Sequence, residues 1–169
     1  MLQRIIAPIW GLAGVLFLLG YAIFRLTPRA KTALVDYDLS VLQWIVLVVW
    51  VIFMLIGEGY RGFQKKFSPR TAARVRYLRD NPSPLRTLLA PLFCMGYFHA
   101  TKKTRIVSIC LTLGIILLVV LVSFAPQPWR GIIDLGVVLG LTWGIISLLI
   151  FTVQALTKPD FPHSPETPS

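Results

Sequence analysis

Four stretches of this chain carry no Lys, Arg, Asp, Glu or His and are each long enough to cross a lipid bilayer. They run from Ile5 to Phe24, Leu39 to Gly57, Ile106 to Ala125 and Leu135 to Thr157, between 19 and 23 residues apiece. A bilayer's hydrocarbon core is about 30 Å thick, and a spanning helix needs roughly 20 apolar residues. Lipid offers the backbone no hydrogen-bond partner, so a spanning segment must be a helix or a strand of a closed barrel. Barrel strands alternate apolar and polar residues, and a run such as IVLVVWVIFMLIG, Ile45 to Gly57, does not. The sequence therefore predicts an all-α, multi-pass membrane protein with four transmembrane helices.

Composition agrees. Charged residues make up 14% of the 169, against about 25% in a typical soluble domain. That is too little charge to cover a small globule in water, which excludes an ordinary cytosolic enzyme, a disordered chain and a disulfide-stapled secreted scaffold. The first run is longer than the 7–15 apolar residues typical of a signal peptide. Arg25, Arg29 and Lys31 follow it where small residues would mark a cleavage site, so it is expected to stay as an anchor.

The 17 Lys and Arg against seven Asp and Glu give a net charge of +10. Eleven of those cations fall between the second and third runs, from Arg61 to Arg105. Cytoplasmic loops carry the excess of Lys and Arg. This places the 58–105 loop and both termini in the cytoplasm, with a bacterial inner membrane the expected location. Residues 1–157 then form a single four-helix transmembrane domain, and 158–169 a flexible tail. The tail's Pro159, Pro162, Pro165 and Pro168 recur every third residue, a polyproline II period.

The basic loop is expected to contain short interfacial helices. The second span continues through Glu58-Gly59-Tyr60-Arg61-Gly62-Phe63-Gln64-Lys65-Lys66-Phe67. Ser68-Pro69 and Ser83-Pro84 each read as a helix start, because Ser favours the N-cap and Pro the first turn. A helix from Pro69 to Arg79 would rest a narrow stripe of Ala72, Val75 and Leu78 on the membrane. The apolar part of the next segment, Leu88 to Phe98, is too short to span and suits an interfacial or re-entrant piece. Cations beside a bilayer are drawn to anionic headgroups by about 1 kcal/mol each. The candidate headgroup or partner-binding residues are thus Glu58, Tyr60, Arg61, Lys65, Lys66, Arg70 and Arg74. Arg61 stands three residues after Glu58, within reach of a helical ion pair. A basic patch also suits nucleic acid, but a membrane-tethered loop gives no reason to expect it.

Gly136, Gly140 and Gly144 space small residues by four along the last span, which lets a neighbouring helix pack closely. Packing inside the bundle is the first reading and a homo-oligomer contact the second. Ala7, Gly11 and Gly14 on span one, and Ser108, Thr112 and Gly114 on span three, form similar faces. Trp50 and Trp143 fall mid-span and read as packing residues. Asp134 opens the fourth span, where the helix dipole favours an acid, with Arg130 four residues earlier. Cys94, His99, Cys110 and His163 show no metal-ligand spacing. Cys94 sits at the expected interface, where acylation is conceivable. No phosphate loop, nucleophile elbow or paired carboxylates appear. No metal, cofactor or catalytic residue is expected.

The sequence thus points to a small membrane-embedded accessory or interaction component that contacts anionic lipids or a protein partner through its basic loop. The alternatives are an oligomeric transporter or channel subunit and, behind it, a lipid-modifying membrane enzyme built on Glu58.

Overall fold

A computed structural model describes residues 2–168. Every regular element in it is helical: α1 (Gln3–Val35), α2 (Val41–Met54), a π-helical segment (Leu55–Phe67), α3 (Ser68–Asp80), α4 (Pro84–Leu88), α5 (Ala90–Met95), α6 (Lys102–Ser123) and α7 (Trp129–Thr157). Four helices are long and apolar enough to cross a membrane: Leu2–Val35, Val41–Asp80, Lys102–Ser123 and Trp129–Thr157. Each covers one of the four uncharged runs to within two residues, the second helix starting at Val41 rather than Leu39 and the third ending at Ser123 rather than Ala125. Two extend well past their run. α1 carries Arg25, Arg29 and Lys31 within the helix rather than in a loop, and the second helix is unbroken to Asp80.

α7 is the hub. It packs on α1, α2, the π segment and α3, and touches α6 only sparsely. Gly136, Gly140 and Gly144 face the second helix of the same chain. A Cβ on Gly144 would stand 2.6 Å from Phe63, one on Gly140 3.2 Å from Glu58 Cβ, and one on Gly136 would strike the Trp50 indole. Trp50 also donates its indole N–H to Ile133 O at 3.1 Å. The Gly136-Gly140-Gly144 face is therefore filled from within the chain and is not free to meet a second copy.

The second helix starts at a capping box the sequence reading passed over. Ser40 Oγ accepts from the Gln43 N–H, and the Gln43 side chain accepts from the Ser40 N–H at 2.9 Å. The S-x-x-Q spacing is a recognised signature of a helix start. From Leu55 the backbone bonds five residues apart instead of four. The buried positions Met54, Gly59, Phe63 and Ser68 accordingly recur at intervals of five, four and five. Gly59 underlies this packing: a Cβ there would lie 3.0 Å from the Trp143 ring, which donates its N–H to Gln64 Oε1 at 2.8 Å.

α3 departs from expectation. Ser68-Pro69 does not start a separate helix, because Ser68 is itself helical and its hydroxyl bonds Ser147 Oγ at 2.7 Å. Proline is tolerated there because the residue that cannot donate falls where π bonding gives way to α bonding. Nor does α3 lie on a surface. Thr71, Ala72, Ala73, Val75 and Leu78 are buried against α1, α5 and α7. Val75, Leu78, Ala7, Val15, Phe93 and Leu148 belong to the main apolar core, at the Thr157 end of the bundle.

α4 and α5 pack on the first half of α1. A Cβ on Gly11 would meet Cys94 Sγ at 2.8 Å, and one on Gly14 would strike the Pro91 ring. Trp10 donates its indole N–H to Leu88 O at 3.3 Å. Gly96 turns the chain at φ +87°, a left-handed conformation suited to glycine. Ser108 then donates to Met95 O at 2.8 Å, and Tyr97 bonds Thr112, which fastens the first turns of α6. Beyond them α6 is exposed on nearly every face.

Close packing at the Arg130 end makes Gly131 the least replaceable glycine. A Cβ there would sit 2.5 Å from Arg29 O and strike Ala33 Cβ. Gly131→Ala should cost about 2 kcal/mol by overpacking. Gly114→Ala has open space around it and should be neutral or slightly stabilising by helix propensity. Thermal unfolding of the two variants in one detergent checks the contrast.

Candidate functional site

The cations of the 58–105 region divide into an exposed set and a set folded inward. The wide turn of the π segment presents Arg61, Lys65 and Lys66 to the outside. Tyr60, also exposed, lies beneath Lys65, whose ammonium is 4.6 Å from the ring centroid. These two are five residues apart, neighbours on a π turn. Glu58 is exposed and makes no ion pair with Arg61, since the same wide turn moves a residue three positions on away from its face. Among the described residues the ion pairs are Arg70–Glu166, Arg76–Asp80 and Arg79–Asp80. Lys102, Lys103 and Arg105 form a second exposed group at the start of α6.

Arg74 is the opposite case, and corrects the expectation that it serves a headgroup. Its relative exposure is 0%. A buried guanidinium is tolerable only if its donors are met, because the desolvation cost is otherwise prohibitive. Here Nε donates to Phe93 O at 2.6 Å and Nη1 to Pro165 O at 2.6 Å. Nη2 donates to Phe98 O at 3.0 Å and to His99 O at 2.9 Å. The guanidinium carbon also stands 4.2 Å from the Phe93 ring centroid. Four main-chain carbonyls from α5, the 96–101 turn and the tail thus converge on one side chain. Arg is suited to this because its fork of donors is rigid and always charged.

The tail, expected to be flexible, is docked along α3. Arg79 donates to Leu156 O at 3.0 Å, and Arg76 to Lys158 O at 3.1 Å and Pro159 O at 2.6 Å. At the far end Thr101 N–H donates to Glu166 O at 2.9 Å. The Glu166 carboxylate accepts from the Thr104 hydroxyl and faces Arg70 Nη1 at 3.8 Å. His163 packs edge-on to both Phe151 and Phe161.

Two further expectations change. Cys94 is fully buried against Gly11, so it offers no acyl acceptor at a surface. Burial pushes its thiol up to about 12 against the opposing pull of Arg74. Asp134 is not in the first turn of its helix, because α7 already begins at Trp129. It is buried, Oδ2 has no hydrogen-bond partner, and neither Arg130 nor Arg29 closes an ion pair with it. Among the described residues no group of three or more His, Cys, Asp or Glu is placed to hold a metal ion.

Models of known protein families, curated proteins and solved structures were all compared with the chain, and none matches it.

Arg74→Lys keeps the charge but offers three donors on a point in place of the fork, and leaves buried carbonyls unpaired. It should lower stability by about 3 kcal/mol, since each unmet buried group costs roughly 1–3 kcal/mol. Lys66→Gln, at an exposed site, should change stability by less than about 0.5 kcal/mol. Chemical denaturation followed by tryptophan fluorescence separates the two, and equal midpoints would show that the four-carbonyl clamp carries no stability.

Proposed function

We propose that the protein is a small integral membrane component without a catalytic site, whose cationic face contacts anionic lipid headgroups. The observation that carries this reading is the exposed group of Arg61, Lys65 and Lys66 at the end of the second apolar run, with Tyr60 beneath Lys65. Tyr favours the membrane–water interface, and cations there gain about 1 kcal/mol each from anionic lipids. Lys102, Lys103 and Arg105 flank the third run in the same way. Both groups belong to the region that holds most of the positive charge, which supports a cytoplasmic placement of that region and of both termini; a bacterial inner membrane is the location proposed with it. Arg74 drops out of the binding set because it is buried.

The oligomeric transporter or channel reading has one observation in its favour. α6 is exposed on nearly every face beyond its first turns and touches α7 only sparsely. The glycine face of α7 is occupied, so a contact between copies in this reading is assigned to α6.

Two measurements test the proposal. Replacing Arg61, Lys65 and Lys66 together by Gln should weaken retention of phosphatidylglycerol on the purified protein, read by native mass spectrometry. The loss should be on the order of a hundredfold at low salt, from about 1 kcal/mol per cation, and should shrink as salt screens the charges. Equal retention would defeat the headgroup reading. For topology, a cysteine at exposed Asn81 should resist a membrane-impermeant thiol reagent on intact cells while one at exposed Asp38 reacts. Labelling at position 81 from outside would invert the threading.

A further inference from the structure

The basic face of α3 is not bare, and what covers it is the chain's own end. Residues 158–168 cross α3 from Arg79 to Arg70 with no buried residue among them. They are held by charge, by main-chain hydrogen bonds and, on the α7 side, by one aromatic contact of exposed His163 with Phe151. Arg76 takes the carbonyls of Lys158 and Pro159, Arg74 takes that of Pro165, and Glu166 lies between Arg70 and Thr104. The middle of the segment is poorly seated. An open hollow of about 420 Å³ separates it from α3, lined by Tyr77, Asp80, Phe161 and His163 among others. Pro162, His163 and Ser164 are exposed. Few buried apolar contacts and partly exposed hydrogen bonds are the marks of an element that opens locally without unfolding the rest.

We propose that this tail is a releasable strap, an intramolecular stand-in for an anionic headgroup on the guanidinium groups of Arg70 and Arg76. The strap supplies those cations with carbonyl oxygens and one carboxylate, the Glu166 side chain. The phosphate of an anionic phospholipid offers the same kind of acceptor with a full charge, and Arg pairs with phosphate in a forked geometry. An anionic membrane surface therefore competes with the tail for this face. Release adds Arg70 to the exposed set of Arg61, Lys65 and Lys66 and leaves Arg76 with only its Asp80 ion pair, so the protein's grip on anionic lipid rises with the lipid's own density. Arg74 keeps its bonds to Phe93, Phe98 and His99 when Pro165 leaves, so the bundle holds while the strap opens. This inference rests on the headgroup reading above.

The test uses the full chain in nanodiscs of pure phosphatidylcholine and of phosphatidylcholine with phosphatidylglycerol, followed by hydrogen exchange. In the zwitterionic disc the Thr101 amide, which donates to Glu166 O, should be protected. Phosphatidylglycerol should speed its exchange by about tenfold as the docked population falls. A chain ending at Phe161 loses Glu166 and so frees Arg70, while the Lys158 and Pro159 carbonyls stay on Arg76; it should retain more phosphatidylglycerol than the full chain, and Glu166→Gln should fall between them. If the shortened chain fails to fold, Glu166→Gln alone decides. Protection unchanged by phosphatidylglycerol, or an amide already unprotected in phosphatidylcholine, overturns the strap. Those outcomes leave the headgroup reading standing if the Arg61, Lys65, Lys66 variant still loses lipid. If that variant loses none while Thr101 is protected in both discs, the headgroup reading fails and the tail is a permanent strut.

Discussion

A guanidinium with no access to water sits where the chain's later segments meet. Arg74 must place its donors or the fold pays the cost of a buried, unmet charge, and it places them on carbonyls of Phe93, Pro165, Phe98 and His99. Those residues belong to α5, the turn after it and the tail. None is joined to another by a regular ladder of hydrogen bonds. One side chain on α3 thus sets where a short helix, a turn and the tail end up, and through the turn it sets where α6 begins. The cost of burying the charge is offset chiefly by Phe93, Phe98 and His99 acting together, with Pro165 completing the set when the tail is docked.

The second constraint is steric. α7 packs against four other elements because its small residues let them approach, with Trp50, Glu58 and Phe63 standing over Gly136, Gly140 and Gly144. The π segment fits this surface. Its wide turn brings Gly59, Phe63 and Ser68 in sequence onto Trp143, Gly144 and Ser147 while turning Arg61, Lys65 and Lys66 outward. A regular α-helix through the same residues would rotate that inward set off the contact within two turns. The division of the cations into inward and outward sets is therefore a product of the helix form as much as of the sequence of charges.

Arg76 and Arg74 read the tail by its carbonyl oxygens, which every residue carries, and Arg79 takes that of Leu156 at the end of α7. Tail composition consequently gave little warning of its docking. The four prolines describe a stiff, extended strand, and stiffness lowers the entropy lost when such a strand is bound. The tripled spacing is as consistent with a docked strand as with a free one, and only the position of the arginine side chains distinguishes them. Glu166, the one tail side chain with a charged partner, carried no local motif.

The four apolar runs were determined by the sequence alone, because an uncharged stretch of that length has few physical alternatives to a helix. So was the closeness of packing at Gly136, Gly140 and Gly144, since a row of absent side chains can hardly mean anything else. Tertiary structure alone decided what those glycines face, that the second helix is π-helical to Phe67 and runs unbroken past Ser68-Pro69 to Asp80, and that Arg74 points inward. The spacing of Thr71, Arg74, Val75 and Leu78 on one helical face hinted at that last point, yet an arginine in such a row reads as a solvated edge until its acceptors are known. Helical character is a local property of backbone and solvent. The fate of a charge depends on which carbonyls distant parts of the chain bring to it, and no window of sequence contains that information.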